Sequence, residues 1–219
     1  MTSESKPRHG SDRIGLWMLL AVIVLTAAVF FWTTDHYRHG TAAAPETATD
    51  AQGRLHVLGI TLGETTLKQA ELLLQSKSDV ALYIYPQEHP KAGLKLEAFF
   101  PAIADHTKVI LLLDIAKERL QEIGSRATIP HQYQNLVARM NMAPADISSV
   151  QHDVVTELTL IPNLQITAEN LQARFGTPDR IEHLDDERDQ YNFNAIGLQA
   201  IISKQEPATL HFSNPPSLP

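Results

Sequence analysis

Ten histidines and one dense run of carboxylates are the residues best suited to hold a metal ion or move a proton in this 219-residue chain. Preset zinc sites place two imidazoles on one face of a single element, as in H-x-H or H-E-x-x-H. His56, His89, His106, His131, His152, His183 and His211 are scattered and make neither spacing, so they read as surface or turn histidines. His36 and His39 in H-Y-R-H would share a helix face, but with Tyr37 and Arg38 between them they suit a juxtamembrane segment among lipid headgroups, without metal. Asp185, Asp186, Glu187 and Asp189 offer oxygens to a hard cation. The glycine and terminal glutamate of a calcium loop are missing, and a solvated hairpin tip accounts for the cluster.

The chain contains no cysteine, which removes thiol nucleophiles, disulfides, cysteine-ligated metal and lipid attachment through sulfur. No G-x-S-x-G and no glycine-rich phosphate loop occurs, so acyl transfer and nucleotide binding have no anchor in the sequence. Catalytic carboxylates need only converge in space, and that route to an enzyme stays open. No cofactor or metal is expected. Lys and Arg number 18 against 25 Asp and Glu, for a net charge of −7. The residues before the apolar segment are slightly basic, so the acidity belongs to the remainder, which argues against nucleic acid as a partner.

The other candidates for function are strand aromatics. Tyr83 and Tyr85 in YIY, and Tyr191 and Phe193 in YNF, alternate with other residues, and Phe99 and Phe100 are adjacent. Strand side chains switch faces at each residue, so these aromatics cannot all point inward. Those left outside are either covered by the other half of the molecule or form a binding face, with Tyr83, Tyr85, Tyr191 and Phe193 as its candidate anchors.

These residues need elements to position them. Ile14 to Trp32 (IGLWMLLAVIVLTAAVFFW) is a run of 19 residues without charge. As a helix it spans roughly 28 Å, close to the hydrocarbon thickness. Aromatic residues at both ends suit an anchored helix, whereas a cleaved signal peptide would have a shorter apolar core and a nearer small-residue site than Ala42-Ala43-Ala44 before Pro45. Lys6, Arg8 and Arg13 precede the segment, which places the amino terminus in the cytoplasm and the remainder in the periplasm. No small-xxx-small face is written in it, so it reads as a tether. The expected organisation is a cytoplasmic tail over 1–13, a membrane helix over 14–32, and a linker over 33–54 whose core, Thr41 to Gly53, is small and polar. A first unit over 55–125, a helical connection and strand over 126–160, and a second unit over 161–219 then follow.

The two units resemble each other. Thr66 begins TLKQAELLLQS, where Thr66 and Gln69 can form a capping box ahead of an apolar stripe. Strands are expected at Val80 to Tyr85, Leu94 to Phe100 and Val109 to Ile115. Thr167 opens ITAENLQARFGTPD, in which Leu171 and Phe175 share a face and Gly176 with Pro178 stops the helix. Strands follow at Arg180 to Leu184, Gln190 to Asn194, Gly197 to Ser203 and Thr209 to Phe212. Aligning Thr66 with Thr167 brings Gly93-Leu94 near Gly197-Leu198. Between the copies, Ala116 to Ile123 and Pro130 to Met140 have helical spacing, and Val154 to Ile161 has strand character. The fold class expected is α+β: one transmembrane helix, then two tandem helix-plus-antiparallel-sheet units.

Ile166-Thr167, then Phe175-Gly176-Thr177-Pro178-Asp179-Arg180, then Tyr191-Asn192-Phe193 before Gly197-Leu198 resembles the small SmpA/OmlA-type domain of outer-membrane assembly lipoproteins. The related beta-lactamase inhibitory protein fold carries two such units in tandem. The resemblance covers residues 166–211 and, more loosely, 60–115. It implies a helical pair on one face of a small antiparallel sheet, and binding roles directed at a barrel-assembly machine, a lipid or an enzyme. The lipoproteins' lipidated cysteine is missing here and a membrane helix stands in its place, so the outer-membrane assembly role does not transfer. The expectation for function is a single-pass inner-membrane protein of a Gram-negative-type envelope whose periplasmic domain binds another cell-envelope protein without catalysis. Its rivals are an envelope-acting hydrolase or transferase, marked by convergent polar residues with shifted pKa values, and a structural spacer, which should leave no apolar or aromatic patch exposed.

Overall fold

The computed structural model describes residues 47–89, 91–103, 106–128, 131–133 and 136–215. The expected tail, membrane span Ile14 to Trp32 and residues 33–46 of the linker lie outside the described residues. Among the described residues no helix is long and apolar enough to cross a membrane.

The described chain opens with three short strands, β1 (Thr47–Thr49), β2 (Leu55–Val57) and β3 (Ile60–Thr61), paired as a small sheet in that order. Helix α1 (Leu67–Leu73) leads into β4 (Asp79–Tyr85), β5 (Gly93–Phe100) and β6 (Lys108–Leu113). Helix α2 (Lys117–Arg126), β7 (His131–Gln132), β8 (Ala138–Asn141), α3 (Pro144–Ser149) and β9 (Val155–Ile161) follow. Helix α4 (Ala168–Phe175) then precedes β10 (Arg180–Asp185), β11 (Arg188–Phe193), β12 (Leu198–Ser203) and β13 (Thr209–Ser213). Strands β4 to β13 form one ten-stranded sheet in the order β10-β11-β12-β13-β9-β6-β5-β4-β8-β7, with every pairing antiparallel.

Local chemistry explains the helix starts. Thr66 accepts from the Gln69 backbone N–H while the Gln69 side chain accepts from Thr66, and Thr167 with Asn170 repeats the arrangement ahead of α4. Each pair satisfies two of the donors that a helix amino terminus otherwise leaves unpaired.

The expected architecture of two tandem α+β units is corrected by this topology. The protein is mostly β, and the strands of both copies belong to a single sheet. Strand β9, from the presumed connection, pairs with β6 on one side and β13 on the other. Left apart, β6 and β13 would each present a row of unpaired backbone donors and acceptors beside apolar side chains, which fusion through β9 removes. Each meander is preceded by one helix, α1 or α4, where the resemblance implied a pair.

Two local expectations also change. Pro130 to Met140 has helical spacing, yet β7 and β8 form a hairpin there, and β8 adds to the edge of β4. Leu136 turns the chain at φ 63° and the Tyr133 backbone N–H donates to the Val137 carbonyl at 2.8 Å. Pairing with an available strand edge outweighs a weak helical preference. Within the polar linker, Thr49 pairs with Leu55 across a turn that Asp50 closes, its Oδ1 accepting from the Gln52 and Arg54 N–H groups at 2.9 and 2.8 Å.

The large sheet has two unlike faces. Val80, Leu82, Leu96, Phe100, Val109, Leu111, Leu158, Leu160, Leu198, Leu210 and Phe212 share one face and one continuous core. Leu67 and Ala70 of α1, Ile123 of α2, Leu171 of α4, and Leu55, Val57 and Ile60 of the small sheet join that core. Asn214 fastens the small sheet, its Oδ1 accepting from the Leu55 N–H at 2.8 Å and its Nδ2 donating to the Leu62 carbonyl at 3.1 Å. On the opposite face Ala81 and Leu112 are buried too, but they stand apart from that continuous cluster. Among the described residues, the turns after β4 and β7 border that face and bring His89 and Tyr133 to it.

Candidate functional site

The open face carries the chemistry. Tyr83 and Tyr85 stand two residues apart on β4 and so point to this side, 6.2 Å between ring centroids. Gly93 lies opposite Tyr85 and has no side chain to crowd it; its φ of 96° favours glycine there. The His89 ring, in the turn leaving β4, stacks on Tyr85 at 4.5 Å.

Glu97 of β5 faces the same side and is only 5% exposed. Its Oε1 accepts from the Tyr85 hydroxyl at 2.7 Å. Burial, reinforced by the charge of Glu97, pushes the Tyr85 phenol far above its ordinary value, so it remains a donor. Burial raises the Tyr83 phenol as well, against the pull of Arg139. Arg139 of β8 donates from Nη2 to both oxygens of Asp79, at 2.9 and 2.8 Å, and from Nη1 to Asn141. Together with Phe99, Ile110, Tyr133 and Val137, these groups line a cavity of about 480 Å³. A pocket of that size falls in the range that takes a side chain or small molecule.

A polar chain runs on from Glu97 across the sheet. Glu97, Leu112 and Glu157 lie in one cross-strand row, and Lys91 Nζ sits between the two carboxylates, 3.8 Å from Glu97 and 3.7 Å from Glu157. His211 Nε2 is 3.5 Å from Glu157 Oε2, and His211 Nδ1 is 3.0 Å from Thr159 Oγ1. Glu157 Oε2 is buried and has no hydrogen-bond partner. Burial lowers the His211 pKa even though Glu157 pulls the other way. A hydroxyl, an imidazole and a carboxylate in series have the composition of an acid–base relay. Thr159 is, however, 8% exposed in mid-sheet, where neighbouring N–H groups serve the strand ladder and none is free to stabilise an oxyanion.

The four candidate anchors are thus divided. Tyr83 and Tyr85 line the cavity, whereas Tyr191 and Phe193, at 8% and 3% exposure, lie in the core on the other face, with Phe175 packed 5.9 Å from Phe193. The acidic cluster forms the tip of the β10–β11 hairpin: Asp185 accepts from the Glu187 N–H and from Arg188, and His183 Nδ1 is 2.8 Å from Asp189. Among the described residues no three His, Asp or Glu side chains gather as a metal site. The sequence analysis does not single out Glu97, Lys91, Arg139, Glu157 or Thr159, and it takes His211, which lies in β13, for a surface or turn histidine. The signals available were a lone carboxylate inside LKLEAFF and the polar alternates of VVTELTLI.

No protein-family model, no curated protein and no solved structure matches the chain. The likeness to SmpA/OmlA-type domains therefore stands on the quoted residues alone.

Proposed function

We propose that the chain is a single-pass inner-membrane protein whose periplasmic, β-rich domain binds another cell-envelope protein through the open face of its long sheet. The observation that carries this reading is the asymmetry of the sheet: one face is covered by helices and the small sheet, while the other keeps half-buried tyrosines around a cavity. Sheet faces with aromatic side chains and no cover are common places for a partner to dock. Tyr133 and Leu136, at 42% and 62% exposure between β7 and β8, favour binding over a passive spacer. The anchoring and orientation rest on Ile14 to Trp32 and on Lys6, Arg8 and Arg13 before it.

Photo-crosslinking side chains placed at Tyr83 and Gln199 on the open face, and at Glu122 and Glu169 on the helical side, test the docking face in cells. The open-face positions should yield one discrete protein adduct that the helical positions lack. Equal adducts from both sides, or none, would overturn the reading. Reporter fusions after Trp32 test the orientation: a periplasm-active enzyme should work there and a cytoplasm-active one should not.

The second reading, an envelope-acting hydrolase or transferase, draws on the Thr159–His211–Glu157 series. Hydrolysis of an activated ester that Thr159→Ala abolishes, without change in melting temperature, would favour it over the first.

A further inference from the structure

The cavity beside β4 has a charge bias that docking alone does not require. Of its two carboxylates, Asp79 is matched by Arg139. Glu97 has only a long ion pair, to Lys91. It is 5% exposed and accepts from a neutral phenol, and the cation beside it, Lys91, stays beyond hydrogen-bond reach at 3.8 Å, is shared with Glu157, and does not line the cavity. The walls around it include the rings of Tyr83, Tyr85 and Tyr133, whose faces carry partial negative charge, while Arg139 is held by Asp79 and the His89 ring lies on Tyr85. An anion in this space would meet a desolvated carboxylate, and an apolar group would bury that carboxylate further with no cation at hydrogen-bond distance. A cation would gain from both the rings and the carboxylate.

We propose that this cavity takes a basic side chain, ammonium or guanidinium, presented by the partner protein; the inference rests on the docking reading above and names the chemistry recognised there. The net charge of −7 works in the same direction, drawing basic surfaces toward the protein at long range. Lys91 then acts as the resident competitor: its ammonium holds Glu97 and Glu157 together loosely, and a partner's cation takes over its place beside Glu97.

The test uses the full-length chain labelled with 3-fluorotyrosine and followed by fluorine NMR. Of the five tyrosines, Tyr83, Tyr85 and Tyr133 sit in the cavity wall, Tyr191 in the core is an internal reference, and Tyr37, outside the described residues, is identified by its loss in Tyr37→Phe. n-Butylammonium and n-butylguanidinium chloride are titrated at constant ionic strength beside n-butanol. Saturable shifts at the three wall tyrosines with a cation, with none at Tyr191 and none with butanol, are expected; which cation binds more tightly identifies the side chain. Glu97→Gln should weaken binding by about tenfold or more, the Tyr191 signal reporting that the fold survives. Should that variant fail to fold, Lys91→Ala serves instead and should tighten binding, because it removes the competing cation. Absent or butanol-like shifts, undiminished affinity in Glu97→Gln, or unchanged affinity in Lys91→Ala would overturn the inference. Crosslinks from the open face without cation binding would leave the docking reading standing and sink this one; cation binding without a specific crosslink would mark a site for a free amine and sink both.

Discussion

Tyr83 and Tyr85 in β4, and Tyr191 and Phe193 in β11, write the same aromatic-x-aromatic pattern in the two halves of one sheet, yet they face opposite sides of it. The residues between them decide the outcome. In β4 the alternates Val80 and Leu82 enter the core, with the exposed Ile84 on the same side, and this turns the tyrosines the other way. In β11 they are Gln190 and Asn192, which leave the core face to the aromatics. Strand side chains alternate with period two, so one face must win, and the more apolar set wins it. The aromatics of the second half join the core; those of the first line the cavity on the opposite face.

That contrast can be broken by truncation. Phe193→Ala should cost about 3–5 kcal/mol of stability in denaturant unfolding, and Leu171→Ala, in the α4 part of the same core, about 2–5 kcal/mol. Tyr83→Ala should cost much less, since the open face leaves the ring half in solvent. Equal losses at Phe193 and Tyr83 would erase the distinction between the faces.

The paired glycines sharpen it. Gly93 and Gly197 both stand at strand heads with positive φ, but a Cβ at Gly197 would lie 1.8 Å from the Ser213 carbonyl oxygen while one at Gly93 meets nothing within 4 Å. Gly93→Ala should cost about 1–2 kcal/mol from backbone strain alone. Gly197→Ala should cost more, above about 3 kcal/mol, because backbone must move. Thermal melts of the two variants rank them directly.

The helix caps should behave alike, since the two halves share them: Thr66→Ala and Thr167→Ala should each cost about 1 kcal/mol. A large difference would show that one helix is held mainly by packing. The smallest effect expected is one of pH. His211 has a folded pKa below its ordinary value of 6.5, so the unfolded chain binds the proton more readily. The stability that this neutral histidine contributes is fully present above pH 6.5 and declines as pH falls from there toward the folded value. His211→Gln should flatten this part of the stability–pH curve; an unchanged slope would remove His211 as its source.

Several features were determined by sequence alone because their causes are local. Capping at Thr66 and Thr167, the stop at Gly176, and the strand positions in both meanders depend on neighbouring residues and on alternation, which a linear reading captures. The same reading takes PHQYQNLVARM for a helix and residues 47–49 for linker, because each becomes a strand only by finding a distant edge to pair with. Tertiary structure alone decided that β9 would join two meanders into one sheet, and that Tyr85, Lys91, Glu97, Glu157 and His211 would meet on its open side. Glu97 and Glu157 are 60 positions apart in sequence but share one cross-strand row. That row is set by register, and register is fixed by how the whole apolar face packs against the helices.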